Sequence, residues 1–184
     1  VLNIVAQIKN IGHPVRGIIV PNLHQYHHLG DAATETDNLP YNPALKPFET
    51  DGKSSGTPDD RWVFTNRIPW LDYYTVATLA ASNRALKQYN QKLADESLQL
   101  AIKLWDETNT LPKTDTLRGP SFFRRNAEIG AALQLYISTK DARYKEKFDA
   151  LIWPALEGSL QFSISAALHA YPHMDRSYQK KLKD

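Results

Sequence analysis

Apolar positions along this chain follow two helical patterns that alternate. WLDYYTVATLAASNRAL (residues 70–86) is apolar over most of its surface, which predicts a helix buried on several sides. QKLADESLQLAIKLWDE (91–107) is one-faced, with Ala94, Leu98, Ala101, Ile102 and Trp105 on one stripe. SFFRRNAEIGAALQLYIS (121–138) returns to the first kind, and DARYKEKFDALIW (141–153) to the second, through Tyr144, Phe148, Leu151 and Ile152. SLQFSISAALHAY (159–171) is of the buried kind again, and RSYQKKLKD begins a polar helix.

Short joints at Tyr89 and Asn90 and at 139–141 suit antiparallel neighbours, and Ser121, Asp141 and Ser159 are placed as N-caps. Alternation of this kind fits a toroid of helical hairpins, in which an inner helix meets neighbours on several sides while its outer partner faces water. The predicted fold is therefore all-α, a partial α/α toroid of about three inner–outer hairpins. A helical-repeat scaffold is the alternative, though no fixed-period consensus accompanies it.

Residues 12–66 break the rhythm. They hold most of the prolines and the loop-like DGKSSGTPDD (51–60), with RGIIV (16–20) as one short strand. So long an irregular connection is uncommon in a compact domain and is usually functional. The organisation expected is one domain over 1–184, with 1–11 the end of a helix, 12–66 a loop-rich substrate-side segment and 67–184 helical hairpins.

Composition narrows the function classes. Lys and Arg number 22 against 20 acidic residues, a net charge of +2, and broad binding to a phosphate backbone needs a more concentrated basic surface. There is no cysteine, which excludes disulfides and thiolate chemistry. No apolar run approaches a membrane span, and no signal-peptide pattern is present. The chain opens without Met on VLNIVAQI, with Leu2, Val5 and Ile8 at helical spacing, and closes on a helix just begun. Both ends are those expected of a fragment or a mature chain without its flanks.

The segments LGDAATETDNLPY (29–41), TPDDRWVF (57–64) and TVATLAAS (75–82) carry a family resemblance in their order and rough spacing. They resemble the middle portion of glycoside hydrolase family 9, the cellulase-type six-hairpin α/α barrels. Members commonly carry VGD, then DH and a Trp, then TPR, then an Ala-rich inner helix ending ALAAAS. Here Leu29-Gly30-Asp31 matches the first, and Asp37-Asn38 the second, with Asn in place of His. Tyr41 stands where the Trp would be, Arg61 near the Arg, and Leu79-Ala80-Ala81-Ser82 on the helix. The inner-helix Glu is replaced, with Tyr74 at or near its place. PHMDRS (172–177) is similar to a PHHR-type loop of the family but follows the Ala-rich helix too closely, and reads as a turn.

The resemblance implies hydrolysis of β-linked glucan or a related polysaccharide with inversion. One carboxylic acid protonates the leaving oxygen while a carboxylate activates water, with roughly 6.5–9.5 Å between them. The family's base lies N-terminal to the matching region and its acid near the barrel's C-terminal end, so this chain is expected to lack both and to be inactive alone. Asp31 and Asp37 are the fallback catalytic pair. His27, His28, Asp37, Asn38, Tyr41 and Arg61 are expected to contact substrate. The parent protein is expected to be secreted, periplasmic or cell-surface.

QYHHLGDAATETDN (25–38) also admits readings without the family. Its polar groups can satisfy the backbone of a non-regular segment. His24 and His28, at i,i+4 with Asp31 as third ligand, would make a structural divalent-metal site; otherwise no cofactor is expected. Two further alternatives are a non-catalytic glycan-binding or scaffold module, and a polysaccharide lyase-like toroid with Tyr26 and His27 as base. The expected partner is a polysaccharide or oligosaccharide, with no nucleic acid and no membrane span.

Overall fold

The computed structural model describes residues 1–19, 37–111 and 121–183. They form two compact units, Val1–Pro14 with Arg67–Asp184, and Val15–Asn66. The described residues are mostly helical and the chain is all-α. Its helices are α1 (Leu2–Ile11), α2 (Pro69–Leu86), α3 (Gln91–Thr110), α4 (Ser121–Thr139), α5 (Ala142–Ala170) and α6 (Arg176–Lys181), with a 3-10 turn at Tyr171–His173. Among the described residues the named strands are β1 (Ile18–Ile19) and β2 (Trp62–Val63), an antiparallel ribbon with Ile18 opposite Val63. No helix among these residues is long and apolar enough to cross a membrane.

In the helical unit, local sequence sets each boundary. Gly12 ends α1 at φ 91°, a left-handed cap that glycine adopts at little cost, and donates its N–H to Ile8 O at 2.9 Å. Pro69 opens α2, where its missing N–H would have had no partner anyway. Asn90 caps α3 by accepting the Leu93 N–H at 3.0 Å, and Asp141 caps α5 by accepting that of Arg143 at 2.9 Å.

Side-chain contacts fix the helix directions. Asn83 donates to Ala94 O at 2.9 Å, and Thr108 to Asp72 Oδ2 at 3.0 Å, so α2 and α3 are antiparallel. Tyr73 lies beside Arg124 and Glu128, while Arg84 donates to Ser138 Oγ at 2.6 Å, so α2 and α4 run the same way. Helix α5 breaks at Ser159 (φ −160°, ψ 65°). Lys145 reaches Asp175 at 3.3 Å, and Tyr178, whose ring is 5.0 Å from that of Trp153, donates its hydroxyl to Ala167 O at 3.1 Å. Residues 145–153 therefore lie alongside 167–175, and the chain reverses at the break.

The limb 160–170 then follows α4. Ser163 donates to Asn126 Oδ1 at 3.3 Å near the start of α4, and His173 comes close to Lys140 beyond its end. Three segments thus share one direction, α2, α4 and 160–170, with α3 antiparallel to α2 and the limb 142–158 antiparallel to 160–170.

The core follows the alternation for two of the three buried-type segments. Tyr73, Val76, Leu79 and Ala80 of α2, and Ile129, Leu133 and Leu135 of α4, are buried. The third departs from expectation: Leu160, Phe162 and Leu168 are 58%, 55% and 58% exposed, and 160–170 buries only Ser163, Ala167 and Ala170. Its helical partners among the described residues are α4, the limb 142–158 and α6, and Leu160 and Leu168 stay exposed beside them.

Candidate functional site

The unit Val15–Asn66 carries the described candidate residues from the long loop, and its acids organise it. The Asp37 carboxylate accepts the Leu39 N–H at 2.8 Å and the Ser55 hydroxyl, closing a turn in which Asn38 adopts φ 65°. Asparagine tolerates this left-handed conformation better than most residues. Asp59 Oδ2 accepts the Asp37 N–H at 2.6 Å, and Asp60 Oδ2 accepts that of Tyr41 at 2.6 Å. Ser55 N–H donates to Pro40 O at 3.0 Å, and Asn42 N–H to Ser55 O at 2.7 Å. Residues 37–42 are thereby laid along 55–60.

A tight turn supports this contact. Asp51 accepts the N–H groups of Lys53 and Ser54 at 2.8 and 2.6 Å, with Gly52 at φ 83°. Gly56 permits the close approach behind it, because a Cβ there would sit 1.9 Å from Lys46 O.

The electrostatics are specific. The Ser55 hydroxyl and then the Leu39 N–H hold the exposed Asp37 carboxyl below the usual carboxylate range. Asp59 is buried, and its Oδ1 has no hydrogen-bond partner among the described residues. Arg61 turns its guanidinium onto backbone carbonyls, donating to Asp60 O at 2.6 Å and Pro58 O at 3.4 Å. Tyr41 is half-buried, tied down through its backbone rather than its hydroxyl.

Asp37, Asn38 and Tyr41 are therefore gathered against the stretch that leads to Arg61, while the Arg61 side chain is taken up locally. His24, His27, His28 and Asp31 lie outside the described residues, as does Tyr26. Among the described residues, no group of three or more His or acidic side chains is placed to hold an ion. Sequence reasoning missed Ser55, Asp59 and Asp60 as organisers. The adjacent acids before Arg61 were the available signal.

The helical unit brings a second polar group together at the start of α2. Asp72 is 0% exposed, bonded to Arg67 Nε at 2.7 Å and to the Thr108 hydroxyl. Burial pushes its carboxyl up despite Arg67. Tyr73, also buried, donates to Asn109 Oδ1 at 3.1 Å, and burial followed by the Glu128 charge pushes its phenol up to about 12. Neither is open to a substrate. Tyr74 faces outward, 49% exposed, with its ring edge-on to Trp70 at 6.0 Å. A shallow depression of about 250 Å³ lined by Trp105, Asp106, Asn109, Arg143 and Lys147 has its charges already paired, Arg143 with Asp106 at 3.1 Å and Lys147 with Glu128 at 2.7 Å.

Compared with protein-family models, curated proteins and solved structures, the chain matches none.

Proposed function

We propose that this chain is part of a glycoside hydrolase acting on β-linked glucan or a related polysaccharide by inverting acid/base hydrolysis, and that residues 37–61 form one wall of its sugar groove. The observation that carries the reading is the pinning of Asp37 and Tyr41 against 55–60. It presents an ionised carboxylate and a half-buried phenol ring from one ordered loop. Such a pair suits a pyranose, whose hydroxyls donate to a carboxylate and whose apolar face packs on an aromatic ring. Parallel inner and antiparallel outer helices support the wider reading of the helical unit as part of an α/α toroid.

In this proposal Asp37 binds rather than donates a proton, because its hydrogen bonds favour the ionised form. Asp59 and Asp60 hold backbone N–H groups. The described loop therefore supplies no evident general acid, and the chain alone binds sugar without turning it over. Arg61 acts by shaping the 58–61 backbone.

Calorimetry with β-1,4-gluco-oligosaccharides, run beside a hydrolysis assay on soluble β-glucan, tests this. Binding without turnover is expected, weakened in Tyr41→Ala at unchanged melting temperature and weakened also in Asp37→Ala. Turnover by the chain would move catalysis to Asp31 and Asp37, and absence of binding would discard the groove. The use of Asp59 and Asp60 as backbone acceptors favours a second reading, a non-catalytic glycan-binding or helical scaffold module. A competent full-length parent would exclude that reading.

A further inference from the structure

The geometry points to a divalent transition-metal site held by His169 and His173, taking an imidazole-preferring ion such as Zn²⁺, Ni²⁺ or Cu²⁺ with water in its other positions. The two residues are four apart, and the backbone between them stays right-handed, with Ala170 at φ −68°, ψ −28° and Tyr171 at φ −46°, ψ −51°. Both imidazoles therefore leave the same side of the chain, with ring centroids 6.3 Å apart. Imidazole nitrogens bind such ions at about 2.0–2.1 Å, so the rings would need to close by about 1–2 Å, depending on the coordination angle. His169 is exposed and free to make that adjustment.

The turn carrying the pair is held from behind. Gln179 Nε2 donates to Tyr171 O at 2.9 Å and Met174 O at 3.1 Å, while the buried Tyr178 donates to Ala167 O. A ligand pair on a fixed scaffold loses little freedom when an ion arrives.

The surroundings choose the class of ion. The charged groups that face His173 are Lys140 beyond α4, Arg84 from α2 and His169 beside it. Their repulsion of the ion is limited. Arg84 donates to Ala80 O and Gln134 O at 3.2 Å each and to Ser138 Oγ at 2.6 Å, so its guanidinium is turned onto oxygen acceptors of α2 and α4. With only imidazole and water available, ions that require several hard oxygen ligands, such as Ca²⁺ and Mg²⁺, are excluded.

Titration of the full chain with ZnCl₂ at pH 7.5, followed by calorimetry and imidazole NMR, tests the site, with CaCl₂ as control. We expect one equivalent of Zn²⁺ at this site, a raised melting temperature, and no response to Ca²⁺. His169→Ala and His173→Gln should each weaken binding by at least ~tenfold with the helical circular dichroism unchanged. A variant with His24, His27 and His28 all changed to Ala should keep the site. Absence of Zn²⁺ binding would overturn the inference, as would binding that survives loss of both His169 and His173 or that disappears with the triple variant.

Discussion

Arg67 donates through Nε to Asp72 Oδ2 at 2.7 Å, joining the residues before α2 to a carboxylate that is 0% exposed. Thr108 donates to the same oxygen from the end of α3, while Asp72 Oδ1 has no partner among the described residues. The ion pair compensates for the burial of the charge but does not satisfy it completely. Removing Arg67 would leave that charge uncompensated. Arg67→Ala should therefore cost about 3–5 kcal/mol in urea unfolding. A loss within ~0.5 kcal/mol would show that Asp72 is carried neutral.

The same carboxylate gives stability a pH slope of defined sign. Burial raises the Asp72 pKa in the folded chain, outweighing Arg67, Thr108 and His13. Between the ordinary carboxylate value and that raised value, the folded state holds more protons than the unfolded one. Asp72 therefore contributes less stability as pH rises through this window. Asp72→Asn should flatten that part of the urea midpoint against pH. An unchanged profile would assign the slope to other groups.

Asp37 has the opposite sign. Its pKa is lowered first by the Ser55 hydroxyl, so its contribution is present above the ordinary carboxylate value and is lost as pH falls through the folded one. Ser55→Ala should move the Asp37 carboxyl resonance titration upward in NMR. No movement would refute the assigned cause.

The helical alternation predicts unequal costs for one type of substitution. Leu79 and Leu133 are 0% and 1% exposed, whereas Leu160 and Leu168 are both 58% exposed. Leu79→Ala and Leu133→Ala should each cost about 2–5 kcal/mol. Leu160→Ala and Leu168→Ala should stay within ~0.5 kcal/mol. Equal losses at all four positions, measured by chemical denaturation, would mean that 160–170 is covered in solution.

Gly56→Ala should loosen the loop unit selectively. The new Cβ would meet Lys46 O at 1.9 Å, in a turn closed by the Gly56 N–H donating to Glu49 O at 2.9 Å. Limited proteolysis should show faster cleavage within 37–61, with the far-ultraviolet helical signal retained. Unchanged cleavage would show that the backbone relaxes without losing the turn.

Much of the helical unit was legible because burial there follows local periodicity. The apolar runs containing Leu79 and Leu133, the Asn90 joint and the break at Ser159 are all visible in short windows of sequence. The exposure of Leu160 and Leu168 was not, since it depends on which neighbours flank the segment. The loop unit was opaque for another reason. Asp59 and Asp60 grip Asp37 and Tyr41 from 22 and 19 residues away, with no repeat to announce it. His169 and His173 were hidden because their spacing crosses from helix into turn, where helical counting stops.

The position of α4 between α2 and the limb 160–170 bears on how the helical unit comes apart. Contacts on two sides protect α4, whereas among the described residues 160–170 is the outer segment of the row, so it can detach while the pairing of α2 with α4 persists. Amide hydrogens of 160–170 should exchange with solvent through this partial opening, and those of α4 only when the whole helical unit unfolds. The apolar segment at the edge of the row would then be the first to meet a chaperone or a protease.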